Sequence, residues 1–202
     1  MSGGRDGWRA RAERPLREYA RIAALCAPGD ETGFVAGFLC GPAGIIDGDP
    51  SDAAVLPLRK RVLGAFLAHA TEARRAARGG ASCGGCGCAT TCSVGLDPHA
   101  LERFEQEWGR ALLSEAAATT REALVRESSG DAWSVFEQTA LAGAGTAEVA
   151  RGLGITAPAA RALARQAGDR FDAAMRALVA GEGVPPDEVD DELAWLVEVA
   201  RR

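Results

Sequence analysis

The chain has 202 residues, of which 47% are hydrophobic and 25% are charged, and its formal net charge is −5. This composition supports a folded core and excludes a chain that is mainly disordered. No apolar run approaches the roughly 20 residues that a membrane-spanning helix needs, and the first residues lack the apolar core of a secretory signal, so we expect a cytoplasmic protein with no membrane partner.

Helical periodicity dominates the chain, and the sequence predicts an all-α protein of two small helical domains. Residues 1–13 are polar and rich in Gly and Arg, which is typical of a flexible arm. An apolar stripe predicts a first helix from Pro15 to Cys26. The stretch GFVAGFL at 33–39 fits either a strand or a short buried helix. A further helix, predicted from Ser51 or Asp52 to Arg78, completes an N-terminal domain over 14–80.

The stretch CGGCGCATTC, at 83–92, places four cysteines within ten residues of a glycine-rich linker that we assign to 81–96. In a reducing compartment, clustered cysteines favour metal ligation over disulfides. Four thiolates in the spacing C-x2-C-x-C-x3-C suit tetrahedral zinc, and an iron–sulfur cluster is the main alternative. Redox-switched thiols, a mercury- or copper-sensing loop and unligated cysteines are the others. The candidate ligands are Cys83, Cys86, Cys88 and Cys92.

A second helical domain is predicted over 97–180. Asp97 is a typical helix cap and is followed by proline at the first helical position. Apolar side chains then recur at steps of three and four, which predicts one buried face that includes Leu101, Phe104, Trp108 and Leu112. Asp131 is predicted to cap a shorter helix.

Residues 145–175 have the pattern of a helix-turn-helix. Thr146 is the predicted cap of the first helix, whose inner face carries Val149, Ala150 and Leu153. Gly154 is expected to take the positive φ that the tight turn needs. Thr156 is then expected to cap the second helix. A plain helical hairpin that uses this turn only for packing is the alternative.

In a DNA-binding helix-turn-helix, the start of the second helix enters the major groove. Alanine offers only methyl contacts to bases, so Arg161 is expected to carry most of the direct readout, and later cations to hold phosphates. Residues 145–178 carry five arginines against three acidic side chains, a weak basic footprint of +2. The candidate DNA-binding residues are Thr156, Ala157, Ala159, Arg161, Arg165 and Arg170.

Two stretches carry a resemblance to a known family. FEQEWGRALLSEA and TAEVARGLGITAPAARALARQAGDRF resemble the C-terminal promoter-reading domain of bacterial RNA polymerase sigma factors of the extracytoplasmic-function group. The resemblance covers residues 101–178 and implies promoter DNA as a partner, with the RNA polymerase core as a further candidate. LRKRVLGAFLAHATEARRAARGG resembles the basic helix that ends the N-terminal domain of such factors, but its only aromatic residue is Phe66. The family's acidic clamp helix has no counterpart, so the N-terminal half is interpreted as degenerate.

The end of the chain forms an acidic segment. Residues 181–202 carry seven acidic side chains against two arginines, and a helix is predicted there from Asp187. This helix is expected either to pack back on its own domain or to cover the arginines of the recognition helix.

The sequence favours a sigma-factor-like, DNA-binding transcription protein with a metal-binding or redox-responsive cysteine cluster. The alternative is a metal- or redox-sensing helical protein whose helix-turn-helix contacts protein. No paired carboxylates, nucleophile–base set or phosphate-binding loop indicates an enzyme.

Overall fold

The computed structural model describes residues 7–41, 56–77 and 95–202. All regular secondary structure in these three ranges is helical, which confirms the all-α prediction for them. The helices are α1 Gly7–Ile22, α2 Glu31–Leu39, α3 Leu58–Ala77, α4 Pro98–Arg126, α5 Gly130–Phe136, α6 Thr146–Gly152, α7 Ala157–Gly181 and α8 Val189–Arg201, and a π-helical turn, Glu137–Leu141, follows α5. Within the described ranges, no helix has both the length and the apolar character that crossing a bilayer requires.

The chain divides into two compact units. The first unit comprises Met1–Arg110, Glu182–Pro185 and Ala194–Arg202, and the second comprises Ala111–Gly181 and Pro186–Leu193. This division differs from the predicted domains at 14–80 and 97–180, because the boundary between the units lies inside the continuous helix α4. Most of the predicted linker, at 81–94, lies outside the described residues.

Helix α1 corrects the prediction of a flexible arm over residues 7–13, while residues 1–6 of that arm lie outside the described part of the chain. It begins at Gly7 and has Pro15 in its interior, where the sequence had suggested a helix start. Trp8, Ala12 and Leu16 are spaced by four residues and are all buried. Burial of this stripe extends the helix through a proline that by itself removes one backbone hydrogen bond.

Helix α2 settles the ambiguous stretch at 33–39 as a helix. Phe34 and Phe38 are four residues apart, so a helix brings them together on one face, whereas a strand would separate them by about 13 Å. Their ring centroids lie 5.6 and 5.2 Å from that of Phe66 in α3. Edge-to-face packing of this kind favours the helical conformation over an extended one.

Helix α3 begins later than predicted. It starts at Leu58, and Leu56 and Pro57 precede it. Proline disfavours the helical conformation in the residue before it, and the Pro57 carbonyl accepts the N–H of Arg61 at 3.2 Å as the first helical bond. Residues 51–55, where the predicted start lies, are outside the described part of the chain.

The start of α4 confirms the predicted cap. Asp97 Oδ1 accepts the backbone N–H of Ala100 at 2.9 Å, and Phe104, Trp108 and Leu112 are buried as expected. In the first unit, α4 and α8 approach closely at Gly109. A Cβ on Gly109 would lie 3.3 Å from the Leu196 carbonyl oxygen, so only glycine allows this approach without displacement.

A buried carboxylate connects distant parts of the first unit. Glu182 is 2% exposed, and its Oε1 accepts hydrogen bonds from Arg11 Nη1 at 2.6 Å and from Trp108 Nε1 at 3.0 Å. Its backbone carbonyl accepts the N–H of Leu58 at 2.9 Å. Burial raises the pKa of Glu182 above its ordinary value, and the charge of Arg11 and the Trp108 hydrogen bond offset this rise only in part.

The second unit has an aromatic centre that supports α7. The Phe136 ring lies 5.8 Å from Trp133 and 5.5 Å from Phe171, measured between centroids. The N-terminal cap of α5 is Ser129, and Asp131 lies in the first turn, so the prediction of Asp131 as the cap was wrong. An acidic side chain in the first turn still complements the helix dipole.

Candidate nucleic-acid interface

Helices α6 and α7 are joined by the turn that the sequence predicted. Gly154 has a φ of +68°, which confirms its expected left-handed conformation. The Ile155 N–H donates to the Ala150 carbonyl at 2.9 Å, and the Gly154 N–H donates to the Arg151 carbonyl at 3.3 Å. These two bonds form a Schellman motif, which ends α6 and turns the backbone toward α7.

The inner face of α6 agrees with the prediction at two of three positions. Val149 and Ala150 are buried in a cluster against which Ile155 packs. Leu153, predicted as the third inner residue, is 37% exposed because it follows the last helical residue. Thr146 is the first helical residue, and Gly145 is the cap, so the prediction of Thr146 as the cap was wrong.

The start of α7 has the predicted cap. Thr156 Oγ1 accepts the N–H of Ala159 at 3.3 Å, and its backbone carbonyl accepts the N–H of Ala160 at 2.9 Å. Ala160 is fully buried, which fixes the inward face of the helix. The opposite face of the first two turns is therefore directed to solvent.

The candidate contact residues divide into an exposed majority and one half-buried member. Ala157 packs against the Val149 cluster and is half-buried, so its methyl group is less available to a base than predicted. The exposed candidates are Thr156, Ala159, Arg161, Arg165 and Arg170. The structure thus brings five of the six predicted residues to the surface of one helix and its cap.

The arginines of the recognition helix differ in their partners. In the part of the chain that the structure describes, neither Arg161 nor Arg165 has an ion-pair partner. Arg170 Nη2 lies 2.9 Å from Oε1 of Glu127, the residue that follows α4, and the Arg170 side chain is still 53% exposed. Arg161 and Arg165 therefore present their full positive charge to solvent, while the charge of Arg170 is partly compensated.

The acidic helix α8 pairs with α7 at a different arginine. Asp190 accepts a hydrogen bond from Arg176 Nη1 at 2.6 Å, and Asp172 accepts one from Arg176 Nε at 2.7 Å. These two carboxylates, Asp172 first, raise the pKa of Arg176 above its ordinary value. The charge contact of α8 thus lies in the C-terminal half of α7, three turns or more beyond Arg161 and Arg165.

One exposed cation of the motif was missed from the sequence. Arg151, at the end of α6, is exposed and, among the described residues, forms no ion pair. It immediately precedes the turn, so it lies at the junction of the two helices. Its position in the last turn of α6, three residues before Gly154, was the signal that could have identified it.

The predicted metal ligands cannot be placed in this geometry. Cys83, Cys86, Cys88 and Cys92 lie outside the described residues. Over 7–41, 56–77 and 95–202, no three His, Cys, Asp or Glu side chains are close enough together to hold a metal ion.

Comparisons of the chain with protein-family models, with curated proteins and with solved structures find no match.

Proposed function

We propose that this chain is a non-catalytic, cytoplasmic transcription regulator that binds promoter DNA through α6 and α7, in the manner of the sigma factors that its sequence resembles. The RNA polymerase core is the proposed protein partner. The observation that carries this proposal is the exposure of Arg161 and Arg165 without acidic partners among the described residues. They follow a positive-φ glycine and a capped helix start, the arrangement that delivers a helix to the major groove.

The chemistry of the exposed face supports nucleic acid as the ligand. A guanidinium forms two parallel hydrogen bonds to guanine or to a phosphate, and an exposed alanine can contact the thymine methyl group. Apart from Pro158, the exposed residues in the first turns of α7 are of these two types, with Ala159 preceding Arg161. Promoter binding of this kind is expected to combine modest sequence discrimination with strong dependence on salt.

Replacing Arg161 with alanine is expected to weaken binding to the best DNA sequence by about 1–3 kcal/mol and to relax base preference at one position. Replacing Arg170 with alanine is expected to weaken binding to all sequences alike, because this cation is assigned to phosphate. Selection from a random duplex library, followed by fluorescence anisotropy over a salt series, measures both effects. The slope of log K against log salt should fall by about 0.9 for each phosphate contact removed.

The matched control for these variants is Arg121→Ala. Arg121 is an exposed arginine of α4 outside the helix-turn-helix, so this change removes the same charge from the same unit. DNA binding that is independent of salt, or equal losses in the Arg121 and Arg161 variants, would contradict the proposal. A helix-turn-helix that contacts protein instead would leave the chain without DNA affinity.

We further propose that the cysteine cluster at 83–92 binds zinc, on the basis of its spacing alone. Protein purified from zinc- and iron-replete cells is expected to contain about one zinc ion per chain by elemental analysis. Cys86→Ser should remove the metal, because a structural site needs all four thiolates. Cys40→Ser is the matched control, since Cys40 is an exposed cysteine outside the cluster. Iron with inorganic sulfide would identify the alternative cluster, and metal-free protein would end the proposal.

A further inference from the structure

The carboxylate of Glu107, on α4, contacts three arginine side chains within the first unit. Glu107 is buried, with only 1% of its surface exposed. Its Oε1 accepts a hydrogen bond from Arg110 Nη1 at 2.8 Å and lies 3.2 Å from Arg103 Nη2. Its Oε2 lies 2.8 Å from Arg14 Nε of α1. These four residues are called the Glu107 cluster below.

Helical spacing explains how the cluster forms. Arg103 lies four residues before Glu107 and Arg110 lies three residues after it, so all three share one face of α4. Arg14 comes from a different helix. Its contact is a close charge contact rather than a hydrogen bond, because Glu107 Oε2 accepts no hydrogen bond from the described residues.

The cluster carries an excess of positive charge. Three guanidinium groups surround one carboxylate, which leaves a net charge of +2. In the described part of the chain, no second acidic side chain pairs with any of the three. Of the neighbouring acids, Glu18 is already paired with Arg21 at 2.7 Å. The repulsion among the three cations is therefore compensated by one anion only.

The three arginines are also accessible. Their side chains are 67% exposed for Arg14, 36% for Arg103 and 39% for Arg110. Each guanidinium has five N–H donors. Arg110 uses Nη1 on Glu107, and Arg103 uses Nη1 on Gln106 Oε1 at 2.9 Å, so donors remain on each group. Guanidinium forks match the oxygens of a phosphate.

We propose that the Glu107 cluster is a separate nucleic-acid contact, which binds the phosphodiester backbone without reading its sequence. The buried carboxylate orients the arginines, and their excess charge attracts the polyanion. An open surface leaves a small anion largely hydrated, whereas a polyanion gains from several phosphates and from the counterions it releases. This inference goes beyond the proposed function, because it involves only the first unit and does not require α7 to bind DNA.

The test uses the full-length chain carrying Arg161→Ala and Arg165→Ala, so that the recognition helix does not mask the second contact. Adding Arg14→Gln is expected to weaken binding to a fluorescein-labelled duplex of arbitrary sequence by roughly 3- to 10-fold at low salt. The slope of log K against log salt is expected to fall by about 0.9. The matched control is Arg201→Gln, which removes one exposed positive charge from α8 in the same unit, outside the cluster, and should change neither value.

Arg110→Gln, with folding checked by circular dichroism, is the second variant and should reproduce the effect of Arg14→Gln. Equal affinities of the Arg14 and Arg201 variants would overturn the inference, and so would binding of inorganic phosphate without binding of DNA. If the Arg161 and Arg165 changes leave wild-type affinity intact while Arg14→Gln lowers it, the recognition-helix proposal fails and this inference stands. If only the α7 changes lower affinity, this inference fails and the proposed function stands.

Discussion

Replacing Glu182 with alanine is expected to lower the free energy of unfolding by about 3–5 kcal/mol, because it removes a buried carboxylate to which Arg11 and Trp108 both donate hydrogen bonds. Arg11 donates to Glu182 at 2.6 Å, and its side chain is only 9% exposed. Trp108 Nε1, also buried, loses its acceptor in the same change. Urea denaturation of the full chain, followed by circular dichroism, measures the loss. Glu188→Ala removes an exposed carboxylate from a nearby position and should leave stability almost unchanged.

The pH dependence of Glu182→Gln provides the internal check on this result. Since burial raises the pKa of Glu182 in the folded chain, the folded state binds its proton more tightly than the unfolded state does. The stability that this side chain contributes is therefore fully present below the ordinary carboxyl pKa of about 4.3 and is lost as the pH rises through the folded value. As the pH rises from the ordinary carboxyl pKa through the higher pKa of the folded state, wild type should lose stability relative to Glu182→Gln. If wild type instead gains stability relative to Glu182→Gln as the pH rises, the attraction of Arg11 for the carboxylate outweighs the cost of burying it.

Replacing Phe136 with alanine is expected to destabilise the second unit by about 3–5 kcal/mol, the usual cost of removing a buried phenyl ring. The ring contacts Trp133 of α5 and Phe171 of α7, so its loss leaves a cavity between the two helices. Thermal and urea unfolding measure the change. DNA affinity should fall in parallel at temperatures where the unit begins to unfold.

Leu141→Ala is the control for the Phe136 variant. Leu141 lies at the end of the π-helical turn and is 56% exposed, so truncating it should change stability by no more than about 0.5 kcal/mol. Equal losses in the two variants would show that the aromatic cluster does not support α7.

Local chemistry made the turn between α6 and α7 predictable from sequence. A glycine that permits positive φ and a threonine that caps a helix act within a few residues, so Gly154 and Thr156 were placed correctly. Proline rules are local as well, but they compete with burial. At Pro57 the local rule holds, and α3 begins only after the proline, at Leu58. At Pro15 the burial of the apolar stripe that includes Trp8 outweighs the local rule, and α1 continues through the proline.

The contacts of the two buried carboxylates, Glu182 and Glu107, could not be predicted from sequence patterns. Arg11 and Glu182 are separated by 171 residues, and no periodicity along the chain links them. Glu107 lies within the stretch FEQEWGRALLSEA, and its contact with Arg14 depends on how α1 packs against α4, which the pattern of one helix does not show. Such contacts follow from tertiary structure, which a one-dimensional pattern does not encode.

The first unit draws its parts from segments that lie far apart in the sequence, which has a consequence for protein synthesis. Arg11 leaves the ribosome 171 residues before Glu182, and Ala194–Arg202 follow later still. The second unit, which is nearly contiguous in sequence, has almost all of its residues available earlier. The nascent chain must therefore keep the apolar stripe of α1 from aggregating until Glu182 and Ala194–Arg202 have been translated.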